Sequence, residues 1–225
     1  MSTTASGADG GRHLGPRRLE PVVPPVGEPP EDIGTGHPMR AVTERIVADP
    51  SWWGPNAAAE VAAGFDELAP TWDTRSSAAV ASVGLLDALD RGGSMPAPVV
   101  ELGAGTGSGT EVLAERFTHV VALDLSAEML ARLRVDGASP VRGDASALPL
   151  RTASVGTLVC VNVFLFAAEV VRVLRPDGAL VWVNTMGERT PIHLPDDVVV
   201  AALGPGFEVV SSRAGWSTWA VARRV

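Results

Sequence analysis

The chain has 225 residues, 46% of them hydrophobic and 20% charged, a composition that supports a packed core and excludes a disordered, collagenous or disulfide-built chain. All 18 basic residues are arginine, set against 26 acidic ones for a net charge of -8, which argues against a nucleic-acid partner, since phosphates demand basic contacts. The missing lysines exclude a Walker-type phosphate loop and a Schiff-base lysine, and the single Cys160 excludes an internal disulfide and a multi-cysteine zinc site.

Residues 1–36 hold seven glycines and six prolines with only scattered large apolar residues. Such a stretch buries too little surface to offset its ordering entropy, so a disordered tail is expected, with an extended arm packed on the domain as the rival reading. Residues 37–98 read as an N-terminal helical segment. Apolar residues at helical spacing begin near Met39 and stop at Pro50, Trp52 and Trp53 follow, and Asn56 stands as a cap for a helix over 57–68. A further helix is expected over 76–89, broken by Gly92, Gly93, Pro96 and Pro98.

From Val99 the rhythm changes. Strands are expected at 99–102, 119–123, 141–142, 155–163 and 179–184, alternating with helices at 108–117, 126–134 and up to about residue 174. Residues 207–211 and 216–222 read as an antiparallel hairpin. Residues 99–225 therefore predict an α/β, Rossmann-like, doubly wound sheet of about seven strands, mostly parallel, with a C-terminal antiparallel hairpin and helices on both faces. The N-terminus lacks a charged-then-apolar signal pattern, and the longest apolar stretch, 155–171, is interrupted by Gly156, Thr157, Asn162 and Glu169. A cytoplasmic protein without a membrane partner is the expectation.

The segment Val-Val-Glu-Leu-Gly-Ala-Gly-Thr-Gly-Ser-Gly-Thr-Glu-Val at 99–112 carries the chemistry. Gly103, Gly105 and Gly107 permit a tight turn that lets a ligand lie against bare backbone, and Ser108 with Glu111 has capping-box spacing. Asp124 ends the next strand, 21 residues after Gly103, where an acid suits the two hydroxyls of a ribose. Two nucleoside ligands compete. A dinucleotide such as NAD wants G-x-G-x-x-G, and neither glycine register provides it; S-adenosylmethionine wants an acid at the end of the first strand, here Glu101, followed by G-x-G-x-G.

This run resembles the nucleotide-binding motif of the class I S-adenosylmethionine-dependent methyltransferases, closest to the group that methylates small molecules. Residues 124–130 resemble that family's second-strand motif, 143–150 its third, 155–164 its fourth strand, and 172–180 the turn into strand five. The resemblance covers about residues 64–225. It implies that Gly103, Gly105 and Gly107 line the methionine and ribose of the cofactor. Glu101 would fix the loop and the cofactor's amino end, Asp124 the ribose, and Met129 the adenine. Asp144 would accept from the adenine amino group, the Ala145 backbone would donate to the ring, and Asn162 would lie near the transferring methyl. Residues 65–73 resemble the family's helical cover, with Trp72 at a position that is often tyrosine and Arg75 available to the cofactor carboxylate.

Each role has a plainer rival: Asp124 as a helix cap, Asp144 as a turn residue, Asn162 as a strand-end backbone partner, and Trp52, Trp53 and Trp72 as packing residues. His193 and Asp73 stand as candidate catalytic groups, with Asp66 and Glu67 as further bases within reach, and no metal constellation is read. Only nine residues separate Asn162 from Arg172, shorter than is common in the family. The acceptor site is then small, open, or completed by the N-terminal segment or another subunit. Methyl transfer to a small-molecule acceptor is the leading reading. A non-catalytic S-adenosylmethionine-binding module and an NAD-dependent oxidoreductase are the alternatives.

Overall fold

The computed structural model describes residues 15–75 and 78–225, without the side chains of 75–81. Residues 1–14 of the expected tail, the start of the helix expected over 76–89, and the Arg75 side chain lie outside the described residues.

An edge strand β1 (Arg17–Arg18) precedes helices α1 (Pro38–Ala48), α2 (Pro55–Leu68), α3 (Trp72–Arg75) and α4 (Ala78–Arg91). There follow β2 (Val99–Leu102), α5 (Ser108–Ala114), β3 (Val120–Asp124), α6 (Ala127–Leu130), β4 (Ala138–Arg142), β5 (Val155–Val161), α7 (Ala167–Val173) and β6 (Leu174–Asn184). Helix α8 (Asp196–Leu203) leads into the hairpin β7 (Phe207–Ala214) and β8 (Ser217–Arg224). The strands form one eight-stranded sheet in the order β1-β7-β8-β6-β5-β2-β3-β4. Strand β8 runs antiparallel to both β6 and β7, and the remaining pairs are parallel.

Both sheet faces are covered, as near-continuous apolar strands require. Strand β5 is buried over six of its seven residues. On one face, Leu85, Ala88 and Leu89 of α4 pack with Val99, Val159, Val181 and Trp219. On the other, Leu158, Leu180 and Trp182 meet Val170 and Val173 of α7 and Val199 and Leu203 of α8. A third cluster joins Ile46 of α1, Trp53 just before α2 and Ala58 of α2 to Phe164, Phe166 and Ile192. No helix among the described residues is long and apolar enough to cross a membrane.

Three local expectations are corrected. Residues 17–26 form an arm rather than a free tail. Arg17 and Arg18 pair in parallel with Val210 and Ser211, Val23 bridges to Ala214, and Leu19 and Val23 pack on the sheet face. Backbone pairing and two well-spaced apolar residues offset the ordering entropy that composition alone suggested would win. Helix α2 starts at Pro55 after Gly54, not after Asn56, because proline at the first position needs no N–H partner. Helix α5 is preceded by Gly107 in the left-handed region (φ 110°) with no side-chain cap, so Ser108 and Glu111 form no capping box. Helix α8 has no counterpart in the sequence reading; its apolar run follows Asp196 and Asp197, which favour a helix N-terminus.

Candidate functional site

The sheet reverses its winding between β5 and β2, which lie side by side. In an open α/β sheet that reversal opens a crevice at the carboxyl ends of the strands. There β2 runs into the glycine loop, β3 ends at Asp124, β4 leads to Asp144, β5 to Asn162 and β6 to Thr185.

Gly103 and Gly105 have φ of 67° and 56°, a region that disfavours any Cβ. Gly103 is further restricted because a Cβ would come 2.7 Å from Val163 Cγ2. A Cβ on Gly105 would point into the space under Trp72, 3.8 Å from its Nε1. The loop thus presents bare backbone to a gap roofed by an indole. The loop is tied to the next strand: the Gly105 N–H donates to Asp124 Oδ2 at 2.8 Å, and the Ser126 N–H donates to Oδ1 at 2.8 Å. Burial pushes the Asp124 carboxyl up from its ordinary range, while these backbone donors and that of Leu125 pull it down and the nearby Asp66 charge pushes it up. An ionised carboxylate accepts at about four positions, so acceptor capacity remains on both oxygens.

Glu101 faces inward. It is 2% exposed, its Oε2 accepts from Thr110 Oγ1 at 2.5 Å, and it sits so close beneath Gly109 that a Cβ there would force its carboxyl aside. Burial, opposed by the Thr110 bond and reinforced by Asp124, pushes its carboxyl up to about 8. Its visible work is to join β2 to the first turn of α5 and so brace the loop, rather than to face a ligand.

The Asp144 carboxylate accepts from the Ser146 N–H at 2.8 Å and from Trp53 Nε1 at 3.2 and 3.0 Å. Ala145 beside it is half-buried against the Trp53 cluster. Met129 is buried (1% exposed), and its N–H donates to Ser126 Oγ at 3.0 Å. Asn162 takes a left-handed conformation (φ 52°), and its amide reads Thr185 on both sides: Nδ2 donates to Oγ1 at 2.8 Å and Oδ1 accepts from the backbone N–H at 2.9 Å. These are strand-end bonds, and they use one of the two Nδ2 protons and one Oδ1 lone pair.

The N-terminal helices reach the same edge. Asp66 of α2 accepts from Ser126 Oγ at 2.5 Å and from the Glu128 N–H at 3.1 Å, and Asp73 of α3 accepts from Thr106 Oγ1 at 2.5 Å. Trp72 stands edge-on to Phe65 with ring centroids 5.8 Å apart. Both acids therefore clamp the helices onto the loop and onto α6, which leaves neither poised as a free base.

His193 is 7% exposed, and its Nδ1 lies 3.4 Å from Arg40 Nη1. Arginine only donates, so Nδ1 carries the lone pair and the ring proton sits on Nε2. Burial first, then the Arg40 charge, lowers the imidazole's basicity. Arg40 is itself fixed by the Glu188 and Thr190 carbonyls at 2.7 Å each. Among the described residues no cluster of three or more His, Cys, Asp or Glu could hold a metal.

The residues that sequence reasoning missed are the partners: Thr110 under Glu101, Ser126 under Asp66, Thr106 under Asp73, Thr185 against Asn162, and the indole of Trp53. Thr110 sits in the first turn of the helix after the loop and could have been read as facing back along the strand. The Trp53–Asp144 pair, 91 residues apart, leaves no local trace.

The doubly wound sheet and a glycine loop answered by an acid on the neighbouring strand define a Rossmann-like nucleoside-binding domain. Residues 100–182 match the family model described as a methyltransferase domain. The malonyl-[acyl-carrier protein] O-methyltransferase of Methylococcus capsulatus is 39% identical over 124 residues, 49% of this chain and 45% of that protein. The demethylmenaquinone methyltransferase of Renibacterium salmoninarum is 35% identical over 137 residues, 54% of this chain and 57% of that one. The chain thus spans about half the length of these curated relatives. Two solved structures share the fold. The DhpI–SAH complex has a TM-score of 0.58 at 20% identity, covering 72% of this chain and 94% of that one. A SAM-dependent methyltransferase from Aquifex aeolicus has a TM-score of 0.56 at 16% identity, covering 71% and 98%. Over residues 100–182 the chain is similar to a methyltransferase domain, and its fold is that of the class I S-adenosylmethionine-dependent methyltransferases.

Proposed function

We propose that this chain is a cytoplasmic S-adenosylmethionine-dependent methyltransferase acting on a small-molecule acceptor. The observation that carries the reading is the Gly105–Asp124 hydrogen bond, which shapes a bare glycine loop beside a half-buried carboxylate at the crevice. The residues fit the cofactor. The gap between Gly105 and Trp72 would be filled by any Cβ, and Asp124 keeps acceptor capacity for ribose hydroxyls. Gly103, Gly105 and Gly107 would lie along the methionine and ribose, Asp144 and the Ala145 backbone would read the adenine edge, and Trp72 would close over the loop.

When bound, S-adenosylmethionine supplies a methyl group activated by its own sulfonium. The chain's part is alignment and exclusion of water. Asp66 and Asp73 tie α2 and α3 to α6 and the loop, and the Phe65–Trp72 and Trp53–Phe164–Phe166 ring contacts pack the N-terminal segment beside it. His193, with its proton on Nε2 and Arg40 on Nδ1, is fitted to donate a hydrogen bond rather than to take a proton. The reading therefore favours acceptors that need no strong general base. The two curated relatives are named for malonyl-[acyl-carrier protein] and for demethylmenaquinone.

The test is formation of S-adenosylhomocysteine by the purified full chain against a set of quinol, phenol, amine and carboxylate acceptors. Acceptor-dependent turnover supports the proposal. Tight cofactor binding without turnover on any acceptor would favour a non-catalytic binding module.

A further inference from the structure

Resting on the cofactor reading above, we propose that Trp53 is a positioning residue for base recognition. Its indole sets the Asp144 carboxylate to receive an adenine amino group, so that the N-terminal segment takes part in telling adenine from a 6-oxo purine.

Asp144 lies in a turn, where the Ser146 N–H at 2.8 Å engages Oδ1 alone. One such bond leaves the carboxylate free to rotate about it. The Trp53 N–H sits between the two oxygens, 3.2 Å from Oδ1 and 3.0 Å from Oδ2, and fixes the plane of the group. An indole N–H is a donor only, so it holds Asp144 as an acceptor and leaves unused lone-pair positions on Oδ2. An exocyclic amino group donates and matches such an oxygen. A 6-oxo group accepts and would set two acceptors face to face.

The indole is held as firmly as the carboxylate. Trp53 is 9% exposed, and its ring packs against Phe164 at 5.6 Å and Phe166 at 5.4 Å. The turn before it is closed by Asp49, which accepts from the Ser51 N–H at 3.1 Å and from its hydroxyl at 2.5 Å. The Trp53 backbone N–H donates to the Pro50 carbonyl at 3.2 Å, and Pro55 starts α2 two residues later. Leu125 and Ala145 pack on the same aromatic cluster. The wall offered to a base and the indole that orients its acceptor are thus one unit.

The experiment is calorimetric titration of the full chain with S-adenosylhomocysteine and with its inosine counterpart, S-inosylhomocysteine. The native chain should prefer the adenine compound by about tenfold or more, the scale of one buried hydrogen bond gained against one mismatch. Trp53→Phe keeps a ring but removes the N–H. It should weaken the adenine compound about tenfold, leave the inosine compound nearly unchanged, and so erase the preference. Equal loss for both ligands, or an unchanged preference, would overturn the proposal and leave Trp53 a packing residue. If Trp53→Phe does not fold, the native indole reports instead: in the nitrogen-15 spectrum the Trp53 Nε1–H resonance should move upfield in Asp144→Ala, and an unmoved resonance would overturn the proposal. Failure of the native chain to bind either compound would overturn the cofactor reading itself, and this inference with it.

Discussion

Asp124 holds Gly105 from across the crevice: its Oδ2 accepts the loop N–H at 2.8 Å, so the carboxylate that ends β3 shapes the loop that follows β2. A residue expected only to meet a ligand is also part of the scaffold that presents it. Removing it therefore has two costs, one to the loop and one to the nucleoside.

Asp124→Ala should lower S-adenosylhomocysteine affinity by at least tenfold, since charge-assisted hydrogen bonds contribute about 1.5–3 kcal/mol each. Melting temperature should fall as well, because the Gly105 and Ser126 N–H groups lose their acceptor. Asp124→Asn, which keeps one acceptor oxygen, should fall between the two. Calorimetry beside thermal melting reads both effects, and a folded Asp124→Ala with native affinity would contradict the assignment.

Glu101 predicts a pH dependence of folding. Its carboxyl stands at about 8 in the folded chain against 4.5 as its ordinary value, so the folded state binds the proton more tightly. That contribution is fully present below about 4.5 and is lost as pH rises through about 8. Across that window the group subtracts up to about 1.4 kcal/mol of stability per pH unit. Chemical denaturation without ligand should show stability falling from pH 5 to 8, with a flatter profile in Glu101→Gln. Identical profiles would show that Glu101 is charged in the fold.

The clasp between the N-terminal helices and the domain rests on two acid–hydroxyl pairs, Asp66–Ser126 and Asp73–Thr106. Asp73 is exposed and Asp66 half-buried, and neither lies in the core, so the double variant Asp66→Ala with Asp73→Ala should leave the melting temperature within a few degrees of native. Loosening the helices should weaken cofactor binding several-fold and expose 37–75 to protease. Unchanged protection of that segment would mean that the aromatic contacts alone hold it.

Much of the fold was legible because each signal was local. Alternating apolar runs and turn residues located every strand from β2 to β8, and the glycine spacing with Asp124 located the crevice. What was not legible depends on pairing over distance. The arm at 17–26 is stabilised by β7, nearly two hundred residues away, and nothing in a proline-rich stretch announces its partner. Likewise Glu101 and Asn162 carry the residue types a ligand site needs, yet Thr110 and Thr185 claim their side chains. Trp53 reads as packing from sequence, and only the folded chain brings its N–H to Asp144.

The arm yields its own expectation. Arg91 Nη2 donates to the Glu20 carbonyl at 2.8 Å, and Leu19 and Val23 pack beside α4. Deleting residues 1–26 bares the β7 edge and this apolar seam, so melting temperature should drop by about 3 °C or more, and self-association should rise. A truncated chain that melts and sediments like the full chain would show the arm to be dispensable.

Calorimetric titration of the full chain with S-adenosylhomocysteine, run beside NAD, tests the central claim most directly. The site predicts one equivalent of S-adenosylhomocysteine bound in the micromolar range, about -8 kcal/mol at 1 μM, and no heat with NAD. Binding of NAD with no heat from S-adenosylhomocysteine would contradict it.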